Sequence, residues 1–485
     1  MLYHSTRNHQ NTVDSAQAVL SGLASDGGLY VPQSLPKIDV KACLQMSAMD
    51  MAAAIIGALL PDIGDMDTLV RRAYTGKFDT PDLTPTVQVG DFTVLELFHG
   101  PTSAFKDVAL CMLPQLLTAA KSAKGMREDI LILTATSGDT GKAALAGFQD
   151  VDGVRICVFY PHGGVSAVQR AQMVTQEGGN VAVCAVEGNF DDAQTGVKNI
   201  FAAAEDGRLP GGNGYRLSTA NSINIGRLAP QVTYYFKAYA DLLRAGTITM
   251  GEEVNFCVPT GNFGDILAGF LAKKLGLPVG KLICASNANN VLTDFIRTGT
   301  YDRRRPLHKT VSPSMDILVS SNLERLLYFL SGDTALVASL MHKLNTEGVY
   351  TVPASLKNAI AEEFWAGCCD DAGACDAIGR VWCMHKYLCD THTATGWAVA
   401  EDYVNQTGDQ RPTVVLSTAS AYKFPAAVLG SLEKSAIADE FAQMDRLQEL
   451  TGTAIPANLC GLNEKPERHT GVIAKDKMLE YVMDL

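Results

Sequence analysis

Apolar and polar positions change their spacing twice along this chain. Over residues 1 to about 90, apolar residues recur at helical intervals, as in Ser15 to Leu23 and Val40 to Leu60, without alternation of strands and helices. Within that stretch, Asp26-Gly27-Gly28-Leu29-Tyr30 reads as a glycine turn feeding a short strand. Phe92 to Leu97 is then a compact apolar run fit for a buried strand, broken by Gly100 and Pro101. From Ala104 onward, Val108, Cys111, Met112 and Leu116 keep the spacing of a helix with one inward face. After Asp129 strand and helix alternate: strands at Ile130–Thr134, Arg155–Tyr160 and Val181–Val186, helices at Lys142–Phe148, Val165–Thr175 and Phe190–Glu205. A glycine-rich loop at Gly207–Gly214 precedes a long helix at Ile225–Leu243. A second set of strands lies at Val254–Val258, Leu282–Ser286 and Thr413–Ser417. Between the last two, a polar connection at Arg303–Pro313 leads into a mainly helical region to about Ala400, and the tail after Leu432 reads as helices with a loop near Pro456–Pro466. Continuous apolar strands separated by helices predict open, mainly parallel sheets with helices on both faces, joined by right-handed crossovers.

Composition narrows the function classes. At 485 residues, about three domains are expected, and 47% hydrophobic content is enough for sizeable cores. The net charge of −12 is scattered rather than gathered in a tail, and positive charge clusters in short runs such as Arg71-Arg72 and Arg303–Arg305. No basic stripe follows, so nucleic acid is not an expected partner. The longest greasy stretch, Met51–Leu60, is too short to span a bilayer, which takes about 20 residues, and the first residues lack a signal-peptide design. A cytoplasmic protein without a membrane partner is expected. The twelve cysteines form no disulfide framework: Cys157, Cys184, Cys257 and Cys284 lie in strand-like runs as small core hydrophobes. Cys368, Cys369, Cys375, Cys383 and Cys389, near His385 and His392, lack paired C-x-x-C spacing, so free thiols are expected and no metal.

Two glycine turns and one lysine carry the candidate chemistry. Gly261-Asn262-Phe263-Gly264-Asp265 follows a buried strand and opens a helix at Ile266–Leu275. Free amides at a helix start, close backbone approach at glycine and the helix dipole all favour an anion there, although a plain helix start is the competing reading. Ser137-Gly138-Asp139-Thr140-Gly141 has the same strand-to-helix placement, either as a second anion site or as a capped helix start. Lys106, in Phe98-His99-Gly100-Pro101-Thr102-Ser103-Ala104-Phe105-Lys106-Asp107, enters its helix just after a turn. Partial burial there lowers a lysine's proton affinity and frees an amine to attack an aldehyde; a snorkelling surface lysine fits the spacing equally.

The run Phe98 to Asp107 closely resembles the segment that carries the Schiff-base lysine of threonine synthases, a family of pyridoxal-phosphate enzymes. Gly22–Pro32, Ala135–Gly141, Asn221-Ser222-Ile223-Asn224 and Gly261–Asp265 resemble that family in the same order over nearly the whole chain. The resemblance implies fold type II, similar to the tryptophan synthase β chain. It implies a mostly helical N-terminal domain at 1–90, a catalytic core at 91–430 holding a smaller subdomain at about 130–225, and a helical C-terminal extension at 431–485. It implies a lyase in threonine biosynthesis, converting O-phospho-L-homoserine and water to L-threonine and phosphate as a monomer or homodimer. Pyridoxal 5′-phosphate would be tethered by Lys106, which also moves protons, with its phosphate at Gly261, Asn262, Phe263, Gly264 and Asp265. Thr418 matches the hydroxyl that meets the pyridine nitrogen. Ser137, Asp139 and Thr140 fall in the loop that holds the substrate carboxylate, where related enzymes often have asparagine in place of Asp139. Asn221, Ser222 and Arg227 are candidates for the substrate phosphate, Arg227 being equally readable as a helix-surface residue. Ser420-Ala421-Tyr422-Lys423-Phe424 departs from the family's His-Pro-Ala-Lys-Phe or Ser-Pro-Tyr-Lys-Phe by lacking the proline. A serine or threonine dehydratase or a β-replacing synthase on the same fold, and more remotely a non-catalytic binding protein, are the alternatives.

Overall fold

Strands that are apolar along both faces need cover on both sides, and this chain provides it with two helix-flanked sheets. The computed structural model describes residues 1–204, 209 and 214–485. The larger sheet orders its strands Phe364–Cys368, Val279–Ser286, Val254–Pro259, Thr413–Ser417, Phe92–Glu96 and Thr86–Val89. All are parallel except the Thr86–Val89 edge, which pairs antiparallel with Phe92–Glu96. The smaller sheet is wholly parallel: Val472–Ala474, Val181–Glu187, Val154–Pro161, Ile130–Ala135 and Arg216–Ser218.

Two long helices, Lys106–Ala123 and Ile225–Arg244, are buried almost all round. Each carries an internal proline, Pro114 and Pro230, and both lie in one apolar core that runs from the N-terminal helices into the sheets. The helices Lys106–Ala123 and Asp139–Phe148 cross so closely that a Cβ on Gly147 would come within 2.0 Å of the Leu110 carbonyl oxygen. Only glycine lets the backbones approach so far.

Three regions hold more strand than their periodicity suggests. The N-terminal segment adds to its helices a three-stranded antiparallel sheet of Asn8–Asp14, Leu2–Ser5 and Tyr30–Pro32. Its edge strand is polar and largely exposed, so it lacks an apolar signal. Within the region expected to be helical, Phe364–Cys368 joins the large sheet and Val349–Thr351 pairs with Thr300–Asp302. The tail returns to the small sheet through Val472–Ala474, a strand specified by its partner Ala185–Glu187 rather than by its own pattern. Apart from Leu209 and Gly214, the Gly207–Gly214 loop lies outside the described residues, as does Glu205 at the end of the expected preceding helix. Among the described residues, no helix is long and apolar enough to cross a membrane.

Candidate active site

The turn before Lys106 is tied down from within. Asp107 accepts from the Thr102 amide at 2.8 Å and the Thr102 hydroxyl at 2.5 Å, so its buried carboxyl knits residues 102–107 together. The same turn is stitched to the end of the strand Thr413–Ser417: the Phe105 amide donates to the Thr418 carbonyl at 2.8 Å and the Ser420 amide to the Ser103 carbonyl at 3.1 Å. Lys106 is thereby the first residue of its helix, at the carboxyl end of a parallel sheet, where open α/β sheets bind ligands. It is only 8% exposed. Its Nζ lies 3.4 Å from Ser314 Oγ, 3.7 Å from Asp139 Oδ2 and 4.6 Å from the Phe105 ring centre. Burial lowers its proton affinity below the ordinary lysine value of 10.5; Lys423 and Arg227 push the same way, while Asp139 and Asp107 pull back.

The Gly261–Asp265 turn leaves the strand Val254–Pro259 and opens the helix Gly264–Lys274. Phe263 adopts the left-handed conformation at φ 64°, rare for a bulky residue and a source of local strain. A Cβ on Gly261 would come within 2.5 Å of the Ser314 carbonyl, so a side chain there would displace the Ser314 backbone. The first amides of the helix have no intrahelical acceptor and lie at its positive end. Asp265 is gripped by Tyr234 and Tyr235, whose hydroxyls donate to Oδ1 at 2.5 and 2.9 Å, while Oδ2 is buried without a partner. Burial outweighs the tyrosines and raises its carboxyl to about 6.

In the other turn, the Thr136 hydroxyl accepts from the amides of Gly138 and Gly141 at 3.0 and 2.9 Å, which ties the turn to the start of the helix Asp139–Phe148, although the N-cap residue, Gly138, has no side chain to cap it. Gly138, at φ 139°, has no room for a Cβ against the Gln169 carboxamide. Asp139 is buried with Oδ1 2.7 Å from Lys423 Nζ and 3.0 Å from Gln169 Nε2, while the Ser314 hydroxyl donates to Oδ2 at 3.4 Å. Burial alone would raise its carboxyl, but Lys423 and Lys106 hold it far below the usual carboxylate range.

Every candidate named from the sequence lines one cavity of ≈390 Å³. Ser137 is exposed at its rim and Thr140 half-buried. Asn221 is exposed, with Oδ1 accepting from the Ile223 amide and the Ser222 hydroxyl, both at 3.3 Å. Arg227 is not a helix-surface residue: it is 3% exposed, donates to the Ala220 carbonyl at 2.9 Å and leaves Nε buried without a partner. That burial lowers its guanidinium to about 10. Thr418 is buried in the wall beside the lysine turn.

Three participants escaped the sequence reading. Ser314 arrives from the end of the polar connection and joins Lys106, Asp139 and the Gly261 turn. His392 accepts from the Ser314 amide at 3.1 Å through Nε2 and is oriented by Asp390, 2.7 Å from Nδ1. The only signal for it was the polar run Asp390–Thr395 opening an otherwise buried helix. Lys423 lay in plain view inside Ser420–Phe424, but nothing local said that it turns inward. Among the described residues, no three His, Cys, Asp or Glu side chains gather to hold a metal, and all twelve cysteines are unpaired.

The chain matches three family profiles in succession: threonine synthase N terminus at residues 2–74, pyridoxal-phosphate dependent enzyme at 75–419, and threonine synthase C-terminal at 393–482. It is 38% identical to human threonine synthase-like 1 over 435 residues, covering 86% of this chain but 58% of that protein. It is 39% identical to threonine synthase of Pseudomonas aeruginosa over 478 residues, 97% of this chain and 95% of that one. The fold is similar to the crystal structure of pyridoxal-phosphate-bound threonine synthase from Brucella melitensis, with TM-score 0.87, 38% identity, and 100% and 99% of the two chains covered.

Proposed function

Because the chain belongs to the threonine synthase family of pyridoxal-phosphate-dependent enzymes, we infer that it converts O-phospho-L-homoserine and water to L-threonine and phosphate. The observation that carries this reading is that Lys106, an amine with depressed proton affinity, shares one cavity with the Gly261–Asp265 turn. An aldehyde cofactor with a phosphate at its far end asks for that pair. The residues present fit it: Lys106 for the aldehyde, the amides of Gly261 to Asp265 at the helix start for the phosphate, and Thr418, which lines the same cavity, for the ring. When bound, pyridoxal phosphate supplies an electron sink that makes hydrogens on the neighbouring substrate carbons acidic.

The chain's own groups do the rest. Lys106 Nζ, neutral at a lower pH than a solvated lysine, takes up and returns protons inside the cavity. Asp139 Oδ2, 3.7 Å away, faces Nζ across the cavity wall. Arg227, cationic and short of one partner, stands with Asn221 and Ser222 where a phosphate ester could be held, and Ser137 and Thr140 offer hydroxyls for a carboxylate. Residues 1–90, 91–430 and 431–485 are assigned as N-terminal domain, catalytic core and C-terminal extension. Twelve unpaired cysteines suit a reducing compartment such as the cytoplasm.

Purified protein given O-phospho-L-homoserine is expected to release phosphate and threonine in equal amounts. Ammonia from serine or threonine without phosphate release would replace this reading by a dehydratase. With pyridoxal phosphate added, the protein is expected to show a visible absorbance band, and Lys106→Ala to lose both the band and turnover. A coloured, active Lys106→Ala protein would refute the assignment of the lysine.

A further inference from the structure

Lys423 takes no part in the chemistry outlined above, yet it is fully buried against the cavity wall. It ends the short turn Ala421–Lys423, and its Nζ lies 2.7 Å from Asp139 Oδ1 while donating to the Thr102 carbonyl at 3.0 Å. The other oxygen of Asp139 lies 3.7 Å from Lys106 Nζ. One carboxylate thus stands between two buried lysines from opposite ends of the catalytic core. Two ammonium ions sharing a single anion out of water is unfavourable, so one amine gives up its proton. The two lysines are not equivalent. Lys423 has a carboxylate and a carbonyl at close hydrogen-bond distance, whereas Lys106 has a hydroxyl at 3.4 Å and the carboxylate only at 3.7 Å. Lys423 is thus the closer cation to the shared carboxylate.

We propose that Lys423 is a positioning residue: by occupying Asp139 it prevents that carboxylate from locking Lys106 as an ammonium, and so keeps the Lys106 amine free to react. The proposal rests on Lys106 being the lysine that takes the cofactor. The titratable and charged groups facing Lys106 are Asp139, Lys423, Arg227, Asp107 and Asp265; those facing Asp139 are Lys423, Lys106 and His392. Removal of Lys423 takes a cation from Asp139 and from Asp107, a donor from the Thr102 carbonyl and one repulsive charge from Lys106, and the changes of charge all tighten the proton on Lys106.

The test is the rate at which cofactor-stripped full-length protein develops the visible band on addition of pyridoxal phosphate, followed from pH 6 to pH 10. Lys423→Met is expected to move the midpoint of that profile upward by about one pH unit, roughly a tenfold slower capture near neutrality. Lys423→Arg, which keeps a cation on Asp139, is expected to stay near the parent. A side chain that merely fills space would not move the midpoint, so a folded Lys423→Met protein with the parent midpoint overturns the proposal. Should Lys423→Met fail to fold, Asp139→Asn decides: with the carboxylate gone and Lys423 still present, the midpoint is expected to fall, and an unchanged or raised midpoint overturns the proposal. A parent protein that never develops the band, or a Lys106→Ala protein that does, removes the assignment of Lys106 itself and is thereby told apart from failure of the Lys423 role alone.

Discussion

Asp265 shows how one buried carboxyl couples the cavity to pH. Its carboxyl is raised from 3.8 to about 6 by burial, so between those values the folded chain holds a proton that the unfolded chain has released. Stability therefore falls as pH rises through that window, and the full loss is in place above pH 6. The shift corresponds to roughly 3 kcal/mol between protonation states. Asp265→Asn keeps an oxygen for the Tyr234 and Tyr235 hydroxyls but has no proton to lose. The cofactor-free variant is expected to gain on the parent by several degrees in melting temperature between pH 4.5 and pH 7.5; parallel pH curves for the two proteins would contradict the placement of that carboxyl. Lys106 and Asp139 show the complementary case, in which burial and pairing oppose each other and geometry decides which group keeps its charge.

The helix Lys106–Ala123 is the element on which the site depends, and its position is set by a contact with no side chain in it. Gly147 on the helix Asp139–Phe148 meets the Leu110 carbonyl so closely that any Cβ would push the two helices apart. Gly147→Ala is expected to cost about 1–3 kcal/mol, as overpacked interiors do, and to weaken pyridoxal phosphate binding, because both lysine helix and Asp139 helix shift. Unchanged melting temperature and cofactor affinity would show that the helices can part freely. At this scale the sequence was informative where an element is apolar along its length: the strands Ile130–Ala135, Val254–Pro259 and Thr413–Ser417 are continuous buried runs that need no partner to be recognised. Asn8–Asp14 and Val472–Ala474 are mostly exposed or half-buried, and their extended form comes from hydrogen bonds to a partner, the neighbouring strand Leu2–Ser5 for the first and the distant Val181–Glu187 for the second.

Across the whole molecule, the C-terminal tail closes the smaller sheet. Val472–Ala474 covers the edge of Val181–Glu187, and the helix Met478–Met483 buries Met478 and Val482 in a cluster with Leu131, Cys157, Phe159 and Cys184. Burying those two side chains is worth about 3–6 kcal/mol together. A chain ending after His469 is expected to lose that stabilisation, to bind a hydrophobic dye and to aggregate through the bared edge strand. A soluble, dye-silent truncation with the parent melting temperature would mean that the tail is only a passenger.

From the residues alone one could read the parallel α/β architecture, the amine at Lys106 and the two glycine turns, because apolar runs, helix starts and glycine turns are local properties of neighbouring residues. The fold had to bring in Ser314, His392 and Lys423, which lie roughly 200 to 300 positions beyond Lys106 and acquire meaning only when the sheet carries them to the same cavity. Which of two lysines stands closer to the shared aspartate, at 2.7 Å for Lys423 against 3.7 Å for Lys106, is set by the packing of distant segments around the cavity and is not written in the order of residues.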